Sequence, residues 1–238
     1  ILPILFLFLI LAGIPSSRDA ARPRLGRHPD MAATPVALDP ADPTRRTLDA
    51  LTYLGGVRLT SRDHAFGGFS AMLVRGDRFT LVSDGGSVVR FRMGADWRPR
   101  DLRFGDLPAG PGWGWRKPSR DSESMTGDPA GKIWIGFEFT NSIWRYDAAL
   151  TRGEARIRPP PMREWEANGG PESMVRLANG GFVVISETSE LPGVAGRAAF
   201  YFDGDPTAPA TRGFAFAYRP PAGGFSPSED MTAPTPES

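Results

Sequence analysis

The sequence lacks cysteine altogether and has only two histidines among its 238 residues. The absence of cysteine excludes disulfide bonds, thiolate metal sites and a cysteine nucleophile. Two histidines, His28 and His64, argue against a zinc site built from several imidazoles. An excess of one charge is also absent, since 28 Lys and Arg stand against 27 Asp and Glu. Nucleic-acid binding needs a basic surface, so we expect no nucleic-acid partner.

Turn-forming and aromatic residues are abundant instead. The chain contains 28 Gly and 24 Pro together with 15 Phe and 6 Trp, and no sustained helical periodicity. A disordered chain would contain few aromatic residues, so this composition indicates a turn-rich all-β protein with a substantial core.

The first residues form an uncharged apolar run, residues 1–14, followed by small residues. This pattern predicts a signal peptide over residues 1–21 and export to the periplasm or the medium. A retained anchor is the alternative and would be the only membrane contact, although the run is short for a span of about 20 residues. Residues 22–46 have no regular period and are predicted to be a flexible linker, which leaves 47–238 as the folded domain. The missing Met and basic n-region indicate a clipped start.

Within the predicted domain the sequence repeats itself. Met72, Met125, Met174 and Met231 recur at spacings of 53, 49 and 57 residues, and each opens a similar unit. A unit contains a strand, a tight turn, a second strand rich in Val, Ile, Phe and Trp, and a third aromatic strand. Short strands with a period of about 50 residues predict a β-propeller. The chain would hold about three blades and the start of a fourth, so the propeller would be incomplete here.

The repeat also carries acidic residues at fixed places. An acid closes the second strand of each unit, as Asp84, Glu138 or Glu187. Two residues before the Met stands Ser70 in the first unit and an acid in the later ones, as Glu123, Glu172 or Glu229. Counting around each turn predicts that the two acids of a unit face each other across the strands. Facing like charges destabilise a sheet, so a hard cation such as Ca²⁺ or a shared proton is expected to offset them. Solvated strand ends are the plainer alternative.

Several stretches resemble the esterase-like phytase family of β-propellers. They include Asp121-Ser-Glu-Ser-Met125, Trp134-Ile-Gly-Phe-Glu138 and Asn168-Gly-Gly-Pro-Glu-Ser-Met174, and the resemblance extends over residues 47–231. It implies a central acidic site that binds Ca²⁺ and hydrolyses phosphomonoesters. The implied metal ligands are Asp84, Glu123, Glu138, Glu172 and Glu187, and the implied catalytic residues among them are Glu123, Glu172 and Glu187. After Met231 the expected strand is replaced by Ala-Pro-Thr-Pro, so the chain is expected to be truncated at this end too.

Two arginines are candidates for substrate binding. Arg90 and Arg145 occupy the same place in the third strands of their units and could hold phosphate oxygens. The alternative is that both are residues of the blade surface or of the contact between neighbouring blades.

Three functions fit these features. The leading hypothesis is an exported, Ca²⁺-dependent hydrolase of small phosphoesters or related esters. The first alternative is a non-catalytic propeller that Ca²⁺ stabilises and that binds a ligand or partner. The second alternative is a lactonase-like propeller hydrolase.

Overall fold

The computed structural model describes residues 22–111 and 117–219, and these residues form an all-β protein. Two 3₁₀ turns, Lys117–Ser119 and Pro160–Glu164, are the helical segments of the described part. Two small ribbons precede the main sheets: β1 (Ala32–Pro35) pairs with β4 (Val57–Thr60), and β2 (Thr47–Leu48) pairs with β3 (Leu51–Thr52). No helix among the described residues has the length and apolar character needed to cross a bilayer.

Three four-stranded antiparallel sheets follow, and in each sheet the strands pair in the order in which they occur along the chain. The first contains β5 (Phe69–Arg75), β6 (Arg78–Ser83), β7 (Ser87–Arg92) and β8 (Arg100–Asp106). The second contains β9 (Ser122–Gly127), β10 (Ile133–Phe137), β11 (Ser142–Tyr146) and β12 (Gly153–Ile157). The third contains β13 (Pro171–Arg176), β14 (Phe182–Leu191), β15 (Val194–Phe202) and β16 (Gly213–Tyr218).

The sheets pack face to face as consecutive propeller blades. Their first strands are neighbours, with β9 between β5 and β13. One apolar cluster joins the first and second blades and includes Leu73, Val82 and Ile135. Another joins the second and third blades and includes Trp134, Met174 and Phe182. Because a meander buries one face only against a neighbour, this stacking provides the core. The predicted propeller with a period of about 50 residues is confirmed.

The outermost strand of each blade was not predicted. Strands β8, β12 and β16 lie at the sheet edge and pair on one side only. In β8 and β12 charged residues interrupt the apolar pattern, as in the Arg100–Asp106 sequence Arg-Asp-Leu-Arg-Phe-Gly-Asp. Edge strands are commonly polar because their outer side meets water, so the hydrophobic pattern does not reveal β8 and β12.

Part of the predicted linker packs on the first blade. Leu25 is buried beside Val57, and Ala32–Pro35 forms a strand, although residues 22–46 were expected to be flexible. The short polar segments around these residues hid the local pairing. The domain boundaries stay predictions, and residues 1–21 and the fourth repeat at 228–231 lie outside the described residues.

Candidate metal centre

The predicted acids lie where the second strand of each blade ends or loses its regular pairing. Asp84 and Glu138 directly follow β6 and β10. Glu187 differs from the expectation, because β14 continues to Leu191 rather than ending at this acid. The pairing of β14 with β15 is nevertheless interrupted between Ile185 and Glu190, so Glu187 also stands at a break in the ladder.

A β-bulge at the same place in every blade determines how the acids meet. In the second blade Ser124 pairs with Gly136 and Ser122 pairs with Phe137, which leaves Glu123 as the extra residue. The third blade leaves Glu172 unpaired in the same way, and the first blade leaves Ser70. The predicted one-to-one pairing of Glu123 with Glu138 and of Glu172 with Glu187 is therefore wrong. Counting around a turn assumes one residue opposite one, whereas a bulge sets two against one.

The bulges nevertheless bring most of the predicted acids together. Carboxylate oxygens of Asp121, Glu123 and Glu138 lie within 4.8 Å of one another, and so do those of Glu138, Glu172 and Glu187. Glu138 belongs to both groups, so the two groups form one continuous cluster across the second and third blades. We refer to these five residues as the acid cluster.

Asp121 is a member that the sequence analysis did not select. Its carbonyl oxygen accepts a hydrogen bond from the N–H of Glu138 at 2.8 Å. Gly68 and Gly170 make the corresponding bonds in the other two blades, and neither has a carboxylate. The Asp-x-Glu spacing of Asp121 and Glu123 was the available signal, but the repeat alignment concealed it because the first and third repeats have glycine there.

Burial raises the free-energy cost of holding the carboxylates of the acid cluster close together. Glu138 and Asp121 are 5% and 1% exposed. The pKa of Glu123 is raised to about 10, and desolvation is the largest cause. The negative charges of Asp121, Glu172 and Glu138 and a hydrogen bond with Asp121 raise it further. In the metal-free protein Glu123 therefore keeps a proton at neutral pH, which is the shared-proton arrangement that the sequence analysis considered.

Gly170 allows the third blade to approach the acid cluster closely. A Cβ atom built on Gly170 would lie 2.8 Å from Glu138 Cα, 2.9 Å from its carbonyl oxygen and 2.5 Å from Asn141 Oδ1. The carbonyl oxygen of Gly170 accepts hydrogen bonds from the N–H groups of Glu172 and Glu187 at 2.8 and 3.2 Å. This glycine therefore fixes the positions of Glu172 and Glu187 relative to Glu138.

We expect Gly170→Ala to destabilise the protein by about 1–3 kcal/mol, because the added methyl group meets backbone atoms that cannot rotate away. Urea unfolding measures the effect. Gly105→Ala is the matched control, since a Cβ on this strand glycine has no atom within 4 Å, and its change should stay within about 0.5 kcal/mol. Equal stabilities of the two variants would contradict the close approach.

Asp84 lies apart from the acid cluster in its chemistry. Its Oδ1 atom accepts a hydrogen bond from Arg22 Nη1 at 2.5 Å. Among the described residues, neither of the two acid groups includes it. Its assignment as a metal ligand stays a prediction, and its observed partner is a guanidinium.

The two candidate substrate-binding arginines bond to the next blade. Arg90 donates to the carbonyl oxygens of Ala148 and Ala149 at 2.9 and 3.0 Å. Arg145 forms ion pairs with Asp205 of the third blade and with Glu154. Both therefore make the interblade contacts that the sequence analysis considered as the alternative.

The donor set of the acid cluster suits a hard cation. All five side chains offer carboxylate oxygens, and Ca²⁺ takes six to eight oxygen ligands from such groups. A bound cation would also favour the ionised form of Glu123, whose proton the buried charges now retain. The residues present therefore fit a metal ion.

Residues 64–235 match the profile of a family described as Phytase-like, with esterase-like activity of phytase. No curated protein matches the chain by sequence.

Solved propeller-like structures are also similar to the chain. An inactive variant of virginiamycin B lyase from Staphylococcus aureus with quinupristin has 10% identity and a TM-score of 0.43, and the match covers 84% of this chain and 49% of that one. A streptogramin B lyase structure has 14% identity and a TM-score of 0.40, with 69% and 44% covered. The chain thus spans about half the length of these structures.

Proposed function

Because this chain belongs to the phytase-like family, whose model describes an esterase-like activity of phytase, we propose that it is a metal-dependent hydrolase of phosphoesters or related esters. One observation carries the proposal. Two groups of three carboxylates share Glu138, and the residues that supply them come from two adjacent blades. Buried acids in this number favour a function over solvated strand ends, since removing several carboxylates from water and placing them side by side costs free energy.

We propose Ca²⁺ as the cofactor, held by Glu123, Glu138, Glu172 and Glu187 together with Asp121. When bound, Ca²⁺ would offset the negative charge of a phosphoester. Small-molecule phosphoesters or esters are the proposed substrates. The apolar run at residues 1–14 supports a periplasmic or secreted location, where free Ca²⁺ would be available.

The acids would have different roles according to how deeply each is buried. Glu138 is almost fully buried and shared, which suits a ligand that does not meet substrate. Glu172 and Glu187 are only partly buried, so their carboxylates can orient a water molecule and accept its proton. Glu123 would hold or release a proton at its carboxyl group as the local charge changes, since its pKa responds to Asp121 and Glu172.

Turnover of p-nitrophenyl phosphate tests this function. The purified full-length protein should hydrolyse the substrate with Ca²⁺ and lose this activity in EDTA. A neutral nitrophenyl ester and a lactone tested in parallel define the substrate class. Stabilisation by Ca²⁺ without turnover of any of these would overturn the enzymatic proposal in favour of a binding propeller, and lactone turnover alone would favour the lactonase-like alternative.

A further inference from the structure

Arg22 places a guanidinium at the end of β6, although it lies outside the repeats. Its Nη1 atom donates to Asp84 Oδ1 at 2.5 Å, and the two side chains are 25% and 24% exposed. A Cβ built on Gly85 would lie 2.9 Å from Arg22 Cδ. The side chain of Arg22 therefore lies against the backbone that follows β6, with part of its surface open to solvent.

This place adjoins the acid cluster. Ser122 Oγ donates to the carbonyl oxygen of Ser83 at 2.7 Å, which joins the end of β6 to the beginning of β9. Ser70 Oγ donates in turn to the carbonyl oxygen of Ser122. Because Ser122 stands between Asp121 and Glu123 in the chain, the segment that Arg22 contacts is bonded directly to the segment that supplies the first acid group.

Asp84 has the position of an acid-cluster residue but not its surroundings. It corresponds in the repeat to Glu138 and Glu187. In the first blade, however, the places of Glu123 and Asp121 are taken by Ser70 and Gly68. A single carboxylate already bonded to a guanidinium offers a cation little, whereas it orients the guanidinium well. The arrangement suits Asp84 as a positioning residue.

We propose that Arg22 binds the phosphate group of the substrate and that Asp84 positions it, an inference that rests on the proposed function. Among the described residues Asp84 is the hydrogen-bond partner of the Arg22 guanidinium, through Nη1. The remaining N–H groups form a planar fork that matches two phosphate oxygens. Arg90 and Arg145 cannot take this role without leaving their contacts with the next blade.

Charge explains why such a residue is needed. A phosphate dianion that approaches a group of carboxylates is repelled, and bound Ca²⁺ offsets only part of that charge. Arg22 adds a permanent positive charge at the end of β6, which is hydrogen-bonded to the segment that carries Asp121 and Glu123. An arginine stays protonated throughout the working pH range. A neutral ester gains nothing from this contact, so Arg22 would select anionic substrates.

Calorimetric titration with inorganic phosphate tests the inference, once in EDTA and once with saturating Ca²⁺. Arg22→Gln should weaken phosphate binding by about 10-fold or more, because it removes the charge and the hydrogen bonds that an arginine donates to phosphate. Arg22→Lys should give an intermediate affinity, since it keeps the charge and loses the fork. With p-nitrophenyl phosphate, Arg22→Gln should raise KM and leave kcat nearly unchanged, while hydrolysis of a neutral ester stays the same.

The matched control is Arg92→Gln, which removes an arginine whose Nη2 pairs with Asp77 at 2.6 Å on an exposed surface. It should bind phosphate like the wild type. Wild-type affinity in Arg22→Gln, or no phosphate binding by the wild type in either buffer, would overturn the inference. If the wild type binds phosphate through Arg22 but shows no metal-dependent turnover, the proposed function alone would be overturned. Thermal unfolding verifies that each variant is folded, and Arg22→Lys serves if Arg22→Gln is not.

Discussion

Glu138→Gln is expected to abolish both the stabilisation by Ca²⁺ and the Ca²⁺-dependent hydrolysis. Glu138 is the one acid common to both carboxylate groups, so its replacement removes a ligand from each at once. A ligand present at 100 times its Kd stabilises a protein by about 2.7 kcal/mol. For a chain of this size that corresponds to a rise in Tm of roughly 5–10 °C. The Tm of the wild type should rise by this amount when Ca²⁺ is added, and the Tm of the variant should not change. The Ca²⁺-dependent turnover of the variant should be lower by at least about 100-fold.

Differential scanning fluorimetry with increasing Ca²⁺ measures the effect on Tm. Asp77→Asn is the matched control, because Asp77 forms an exposed pair with Arg92 and should respond to Ca²⁺ like the wild type. The Tm of Glu138→Gln is also measured in EDTA, so that the Ca²⁺ response of each protein is taken from its own metal-free value. An unchanged Ca²⁺ response in this variant would contradict a cation site at Glu138, and Glu172→Gln then tests the second group separately.

The stability of the metal-free protein should fall as the pH rises from about 5 to 9, and Glu123→Gln should remove this dependence. The pKa of Glu123 is raised to about 10 in the folded protein, chiefly by desolvation, whereas an unfolded glutamate titrates near 4.3. Between these values the folded state holds the extra proton. The stability that this proton contributes is therefore complete below the pKa of the unfolded state. It is lost as the pH rises towards the pKa of the folded state, at up to about 1.4 kcal/mol per pH unit.

Urea unfolding in EDTA at several pH values measures this slope. Glu164→Gln replaces an exposed acid and should keep the wild-type slope, whereas Glu123→Gln should show almost none. Saturating Ca²⁺ should also remove the fall, because a cation stabilises the ionised carboxylates that high pH produces. A wild-type slope of zero without metal would mean that the acid cluster does not retain its proton.

The repeated features were predictable from sequence because they depend on local patterns. Met72, Met125 and Met174 mark equivalent strands, and the propeller that their spacing predicts is present. Four of the predicted acids, Glu123, Glu138, Glu172 and Glu187, do meet. The repeated pattern of strands and turns was sufficient to predict that these acids lie close together.

Other features depended on contacts between segments that are distant in the chain. Arg22 reaches Asp84 across 62 residues, and Arg145 reaches Asp205 across 60. No local pattern indicates such partners, so the sequence could not show which arginine joins two blades and which one pairs with Asp84. These contacts are visible only in the tertiary structure.

The sequence by itself determined the architecture, the period and the residue types that gather, because alternating apolar residues and turn signals act over a few positions. The tertiary structure decided which carboxylates share a group and which are paired with a guanidinium. A bulge shifts the pairing by one residue without changing the hydrophobic pattern. The tertiary structure also decided that Asp121 joins a group, that Glu138 belongs to both groups and that the pKa of Glu123 is raised. These properties depend on burial and on contacts between segments, so no single segment of the sequence reveals them.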